Sequence, residues 1–373
     1  MFSSYSSNHE NMRIIRNYIL RECLQPFTLS ICVLTSVFLL GYLPQLANKV
    51  INNGISLSAM GQVFLYYIPI LLGYTLPIAC LITVILALGH MSSENEILAI
   101  RASGIHLLRL LSPLTIVGIA LCLVMYLLND RIIPEAYDAQ SRILQQTGSQ
   151  DPTAMLEPGS FINAFDKYII FIYRIDNDLL FGVRIYEPAP NKPTKTIIAE
   201  QGEFVHVPGK DQLMLKLLNG TSDEPDLSNP NNFYKLNFQQ SFIRMDLAKK
   251  NVRAEKKSKA MTLRELHNKI KSLRKLSIDP SPLVAEFHRR LAWSLSPLIF
   301  IFLGFPFAAI THRRARSANL LYALLFAAPY YILSLACQGM ASQNVYSPIV
   351  LMWVPNALAL ALAIFFNWKL CTR

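Results

Sequence analysis

Six long apolar segments, almost free of charge, constrain the fold of this 373-residue chain more than any other feature. Each is about 20 residues or longer, the length that a helix needs to cross a bilayer. Together they contain one charged residue, Arg109, which lies near a segment end. A helix in a soluble core is usually shorter and carries a polar stripe. We therefore predict six transmembrane helices, at Pro26–Leu46, Gln62–Gly89, Leu107–Leu128, Leu291–Ile310, Ala318–Gln338 and Pro348–Trp368.

Composition supports a membrane protein and gives no reason to expect a nucleic-acid partner. Charged residues make up 16% of the chain, against about 25% in soluble proteins. The net charge of +11 comes mostly from residues 249–275, which hold eleven Lys or Arg and two Glu. Because the rest of the chain is nearly neutral, this basic balance is a local feature and does not indicate nucleic-acid binding.

Basic residues in the short connecting segments predict the orientation. The two termini and the segments around 90–109 and 311–317 together hold ten Lys or Arg, whereas the alternate short segments hold only Lys49. Positive residues accumulate on the cytoplasmic side, so both termini are expected there and residues 129–290 outside. Arg289 and Arg290, at the end of this external segment, oppose the trend, but long loops escape the rule.

Residues 129–290 change from helical to strand-like patterning. Five β-rich segments separated by turn residues predict an antiparallel sandwich or jelly roll at about 156–250. Asn219-Gly220 is expected to be a turn that ends one of these strands. Thr262 and Glu265 have the spacing of a capping box and predict a basic amphipathic helix at about 262–276. That helix could contact lipid headgroups or an anionic substrate, or it could be a connector with one face on the protein.

The motifs of common catalytic sites are missing. The sequence has no P-loop, no His-Glu-x-x-His, no Gly-x-Ser-x-Gly and no Cys or His spacing typical of metal sites. We therefore predict no catalytic residue, no metal and no cofactor. The predicted spans also lack the buried acid that ion-coupled carriers usually need. Energy for transport would then have to come from a separate ATPase.

The segment between the second and third spans has the pattern of a short capped helix, at about 92–104. Ser92 or Ser93 could cap its start, Glu94 and Glu96 complement its positive end, and Gly104 could end it. Such a helix, parallel to the membrane, is the shape that ABC permeases insert into a groove of their ATPase. A plain interfacial helix is the alternative.

These features together resemble the LptF/LptG permease family of the lipopolysaccharide exporter. The resemblance rests on the Glu-x-Glu-Ile…Arg-Ala-x-Gly segment, on Glu286–Ala292 followed by Gly304-Phe305-Pro306, on Trp353–Asn356, and on three spans either side of an external β domain. The Asn219-Gly220-Thr221 turn and strand 233–247 favour an LptF-like chain. The implied division is 1–128 (an amphipathic N-terminal segment, spans one to three and the coupling helix), 129–290 (periplasmic, with a β jelly roll) and 291–373 (spans four to six).

The resemblance implies a bacterial inner-membrane subunit that extracts lipopolysaccharide and passes it to a periplasmic bridge. Its partners would be a sister LptF/LptG-type permease, a dimeric cytoplasmic ATP-binding subunit, the bridge proteins and lipopolysaccharide. The residues expected to contact the ATPase are Glu94, Glu96, Arg101 and Gly104.

One departure from the family concerns the substrate. Family members often carry basic residues in the first span that meet lipid phosphates, and this span has none before Lys49. Lys49 and Arg131 are the expected substitutes. Two other classes remain as alternatives: a membrane-anchored periplasmic receptor or assembly scaffold, and a membrane-embedded enzyme acting on lipid.

Overall fold

A computed structural model describes nine helices and one sheet in the residues that it covers. These residues are 3–53, 57–103, 105, 107–147, 161–165, 168–176, 179–189, 192–206, 213–225, 233–245, 256–310, 316–342 and 346–372. The helices are α1 (Ser3–Asn53), α2 (Leu57–Ser93), α3 (Glu96–Ala102), α4 (Leu108–Leu127), α5 (Ile133–Thr147), α6 (Leu263–Lys275), α7 (Ser281–Ile310), α8 (Arg316–Ser342) and α9 (Pro348–Cys371).

Six helical spans in the described residues are long and apolar enough to cross a membrane, which confirms the predicted number. The third span is not interrupted at the end of α4, because a π turn at Leu128–Ile132 joins α4 to α5. The Asn129 amide donates to the Met125 carbonyl oxygen at 2.9 Å within this junction. Helical structure therefore continues through both expected domain boundaries, the one between residues 128 and 129 and the one between residues 290 and 291, which lies within α7. The division of the chain into three parts stays a prediction.

Helix α7 lies at the centre of the helical bundle, where it packs against α2, α4, α8 and α9. Gly118 of α4 permits one of these approaches, since a Cβ atom there would lie 2.8 Å from Leu298 Cδ1. In the most apolar 18-residue stretch of α2, and likewise of α7, 72% of the residues are buried, whereas the corresponding share in α1 is 11%. Most of α1 therefore needs another covering, from lipid or from a further protein.

The external segment contains one antiparallel sheet of six strands in the described residues. Its strands are β1 (Phe161–Phe165), β2 (Tyr168–Asp176), β3 (Leu179–Ala189), β4 (Lys192–His206), β5 (Leu213–Pro225) and β6 (Phe233–Met245). The strands pair in chain order, β1 to β6. An all-β domain between the third and fourth spans is thus confirmed, but the jelly-roll topology is not, because a jelly roll needs strands that cross between two sheets.

Both faces of the sheet near β2 and β3 are covered. Ile170 and Ile172 belong to an apolar cluster formed by strand residues alone. Phe171 points to the opposite face, as strand alternation requires, and packs with Leu266 and Ile270 of α6. The apolar side of α6 therefore covers the sheet, so α6 is a connector with one face on the protein.

The expected turn at Asn219-Gly220 is wrong, because both residues lie inside β5. Gly220 pairs with Ala199 on one side and Phe238 on the other. A Cβ atom at Gly220 would lie 2.6 Å from the Ile198 carbonyl oxygen and would also meet the Phe238 ring. The glycine thus serves the close approach of neighbouring strands, a role that a sequence pattern cannot distinguish from a turn.

Candidate functional site

The predicted short helix between the second and third spans is present as α3, but it begins later than expected. Helix α2 continues through Ser93, whose hydroxyl donates to the His90 carbonyl oxygen at 2.7 Å. Asn95 precedes α3 in the left-handed region, at φ 61°, and its side chain makes no capping hydrogen bond. Capping by Ser92 or Ser93 is therefore wrong. The left-handed backbone at Asn95, rather than a serine cap, separates α2 from α3.

A side-chain contact ties α3 to the first span. The Tyr18 hydroxyl lies 2.9 Å and 3.0 Å from the two carboxylate oxygens of Glu96 and donates to that carboxylate. Nearby, His90 Nδ1 lies 3.8 Å from Glu22 Oε1, which again joins α2 to α1. Of the predicted contact residues, Glu96 is therefore already engaged within the chain, and its carboxylate positions α3.

The outward face of α3 is small and mixed in character. Glu94 and Arg101 are exposed, and Leu98 between them is 62% exposed. Ile97 is buried against the bundle. Leu98 and Arg101, three residues apart, lie on one side of α3, and Glu94 is exposed in the turn just before the helix. We call these three residues the α3 face. Sequence reasoning missed Leu98, although its apolar side chain in a loop between charges was a usable signal. Gly104 lies outside the described residues.

The two residues expected to bind substrate are placed less fully. Lys49 belongs to α1, but its side chain lies outside the described residues. Arg131 is exposed in the π turn. Next to it, Asp130 accepts a hydrogen bond from the Leu263 backbone N–H at 3.0 Å. This contact links the third span to the start of α6.

A second site, which the sequence did not predict, joins the helical bundle to the segment that immediately precedes α6. Arg290 of α7 is 2% exposed, and its guanidinium donates to four backbone carbonyl oxygens. Three of these, on Ser258, Lys259 and Met261, belong to a 3-10 turn and the residue after it, just before α6. The fourth, on Asn129, belongs to the π turn. One side chain therefore holds three chain segments together.

Glu286 offsets part of the positive charge of two neighbouring arginines, Arg289 and Arg290. Its carboxylate accepts hydrogen bonds from Arg290 Nε and from both Nε and Nη2 of Arg289, all at 2.8 Å. Arg289 and Arg290 are thus engaged inside the protein. Glu286, Arg289 and Arg290 form what we call the α7 joint. The Glu-x-x-Arg-Arg spacing was visible in the sequence, but its backbone partners are 29 or more residues away.

These sites suit mechanical coupling and partner contact. Among the described residues, no group of three His, Cys, Asp or Glu side chains could hold a metal ion. The α3 face offers charge and one apolar side chain at the end of a helical hairpin. The α7 joint connects three elements through charge-assisted hydrogen bonds, which are the stronger kind.

Comparisons with known proteins agree along nearly the whole chain. The family model described as "Lipopolysaccharide export system permease LptF/LptG" matches residues 17–369. The permease protein LptF of Escherichia coli (strain K12) is 20% identical over 359 residues, covering 95% of this chain and 94% of that protein. An uncharacterised protein of Rickettsia prowazekii (strain Madrid E) is 21% identical over 346 residues, covering 89% and 92%. This chain therefore belongs to the LptF/LptG family of lipopolysaccharide export system permeases.

Proposed function

We propose that this chain is a non-catalytic subunit of an ATP-driven lipopolysaccharide exporter, in which it pairs with a sister LptF/LptG-type permease. A dimeric cytoplasmic ATP-binding protein would bind the α3 face. The observation that carries this proposal is the exposure of Leu98 and Arg101 on a short helix between two spans, together with that of Glu94 in the turn before it. The likeness to E. coli LptF favours the LptF side of the pair.

The contact between α3 and α1 gives a route for energy into the membrane. A force on α3 reaches α1 through Tyr18 and Glu96, whose side chains are hydrogen-bonded. Helix α1 packs against α2 and α4, but most of its surface lies outside the bundle. ATP-driven movement of α3 would therefore shift α1, the span that has most surface available for lipid or for the sister subunit.

The sheet supplies an exit surface. Strand β6 is an edge of the sheet and pairs with β5. Leu236 and Phe242, on one face of β6, are 59% and 53% exposed. An open edge with apolar side chains can receive a strand from another protein and can contact acyl chains. We place the hand-over to the periplasmic bridge here, with Lys49 and Arg131 meeting lipid phosphates below it.

The proposed setting is the bacterial inner membrane, with both termini cytoplasmic and residues 129–290 periplasmic. Arg289 and Arg290 oppose this orientation by the positive-inside rule, because basic residues accumulate on the cytoplasmic side. Since both lie in the α7 joint, their placement outside has a structural reason that is independent of the charge rule.

Charge reversal at the α3 face tests the proposal. Glu94→Lys with Arg101→Glu should weaken co-purification of the ATP-binding protein and lower lipopolysaccharide export about tenfold, because loss of one close interfacial charge pair worth about 1.5 kcal/mol has this effect on binding. The matched control is Glu135→Lys, an exposed acid on α5, which should leave both readouts unchanged.

The double reversal Glu94→Lys with Glu96→Lys should uncouple the exporter further, since it also removes the contact to Tyr18. Tyr18→Phe separates the two effects: it should keep the ATP-binding protein bound but lower export. Full export by the Glu94→Lys, Glu96→Lys variant would refute the proposed contact with the ATP-binding protein and favour the receptor or scaffold alternative. Lipid movement by this chain without any partner would refute the proposed need for a separate ATPase.

A further inference from the structure

An apolar cavity lies between the first and third spans, on the side of the bundle formed by α1 and α4. Its volume is about 310 Å³. Leu20, Cys23 and Phe27 of α1 form one wall, Leu114 and Val117 of α4 form the other, and Ile301 of α7 lies at its base. The cavity sits in the half of the bundle that carries the α3 hairpin, because α1 reaches α3 at Tyr18, one turn or less from this wall.

The cavity wall favours a hydrocarbon ligand. Its most polar member, Thr83 of α2, already donates its hydroxyl hydrogen to the Ala79 carbonyl oxygen at 2.6 Å. Cys23 and Cys80 contribute buried thiols, which behave as small apolar groups. An apolar cavity of about 150 Å³ stays dry and accepts a benzene-sized ligand. A cavity of 310 Å³ has room for a longer apolar segment.

An exposed arginine lies beyond one end of the cavity. Leu20, Cys23 and Phe27 recur at helical spacing, and Arg16 lies one turn before Leu20 on the same side of α1. Its side chain is exposed. Arginine is well suited to bind phosphate, so the positive end and the apolar wall together match an anionic amphiphile.

We propose that this cavity binds one acyl chain of an anionic glycerophospholipid from the surrounding bilayer, with its phosphate at Arg16. The lipid fills the gap beside α1 and supports the span that holds α3. Lipopolysaccharide is a poor fit, because its lipid anchor carries several acyl chains side by side, whereas a cavity of about 310 Å³ has room for no more than one. The site is therefore distinct from the transport path in the proposed function.

Photocrosslinking of the full-length protein in nanodiscs tests the site. The probe is phosphatidylglycerol with a diazirine on its acyl chain, diluted into phosphatidylcholine, and phosphatidylcholine with the same diazirine is the comparison. Crosslinks should map to the α1 and α4 walls around Cys23 and Val117. Labelling by phosphatidylglycerol should exceed that by phosphatidylcholine by about fivefold, the preference expected from one arginine that binds the phosphate.

Two variants make the result specific. Val117→Trp fills the cavity and should remove most of the crosslinking at these walls. Ile119→Trp is the control, since Ile119 is 58% exposed on the other side of α4 and should label as the wild type does. Arg16→Gln, at an exposed position that cannot disturb the core, should leave acyl labelling in place but reduce the preference for phosphatidylglycerol.

Three results would overturn the proposal. Crosslinks spread evenly over exposed helices and unaffected by Val117→Trp would mean bulk lipid contact only. Equal labelling by the two lipids would show that the site does not prefer an anionic headgroup. Competition by lipopolysaccharide would assign the cavity to the exported lipid. None of these results depends on export activity, so they are separable from failure of the proposed function.

Discussion

Arg290 shows most clearly how one residue determines the local architecture. A buried guanidinium is costly unless its donors are satisfied, and here every contact is to a carbonyl oxygen or to Glu286. Its partners come from α7, the π turn and the segment before α6. The residue is therefore a structural joint between the helical bundle and the external sheet.

Replacing Arg290 should destabilise the protein strongly. Arg290→Met leaves Glu286 with only Arg289 and leaves four carbonyl oxygens without this donor, so we expect a loss of about 3–5 kcal/mol in the free energy of unfolding. Thermal unfolding in detergent, followed by intrinsic fluorescence, would measure it. Arg264→Met, at an exposed position on α6, is the control and should change stability little. A similarly small change in the free energy of unfolding of both variants would contradict the structural role of Arg290.

At the residue scale, the sequence predicted residue types better than partners. Contact of Glu96 with the ATPase stays a prediction, whereas its hydrogen bond with Tyr18, 78 residues away in the chain, was not predicted. Only folding of α1 beside α3 brings the two side chains together. For the same reason Glu94 and Glu96, which look equivalent in the sequence, differ in the structure: one faces outward and the other holds α3 in place.

Helix α6 is the element whose start was predicted most accurately. The Thr262 N–H donates to Glu265 Oε2 at 2.8 Å, and the Glu265 N–H donates to the Thr262 hydroxyl at 3.2 Å, which completes the capping box. Partial burial raises the pKa of Glu265, but these hydrogen bonds and Lys256 outweigh it, so the pKa lies below its ordinary value. Local chemistry is enough to specify such a helix start.

The start of α6 should become less stable at acidic pH. Because the folded-state pKa of Glu265 is depressed, its contribution is present above the ordinary value of 4.5 and is lost as the pH falls through the lower folded value. Deuterium uptake by the first turn of α6, corrected for intrinsic exchange, should therefore rise in this acidic window. Glu265→Gln keeps the capping geometry but does not titrate, so its uptake should be less pH-dependent. Equal pH dependence in both would contradict the assignment.

Gly220 permits the close approach of β4, β5 and β6. Gly220→Ala would place Cβ against the Ile198 carbonyl oxygen, which is backbone and cannot move freely. We expect about 1–3 kcal/mol of destabilisation, seen as faster trypsin cleavage within the sheet. Gly202→Ala is the matched control, because its nearest neighbours are side-chain tips at 3.3 Å. Resistance to trypsin equal to that of the wild type would show that the strands can separate at no cost.

At the element scale, the sequence located the strands but not their arrangement. Alternation and turn residues placed five of the six strands, whereas β1 and the extension of β5 through Asn219-Gly220 were missed. Pairing order depends on contacts between strands, which a linear pattern does not contain. The expected jelly roll came from strand number and spacing, and these are equally compatible with strands paired in chain order.

For the whole molecule, the orientation is the main prediction. In a Cys371→Ser background, Ser272→Cys on α6 should react with a membrane-impermeant maleimide in intact spheroplasts. Thr372→Cys, just after α9, should react only after permeabilisation. Both positions are exposed, and the native cysteines among the other spans lie within apolar helices. Labelling of position 372 in intact spheroplasts would reverse the assigned sides.

The sequence by itself determined the six spans, the β character of the external segment, the α6 cap and the family resemblance. These follow from apolar length, residue alternation and local hydrogen bonding, all of which act between near neighbours. The tertiary structure decided the continuity of the third span, the α3 contact to α1, the cover that α6 gives the sheet and the buried role of Arg290. Each of these depends on side chains distant in the chain that meet only when the helices and the sheet have packed.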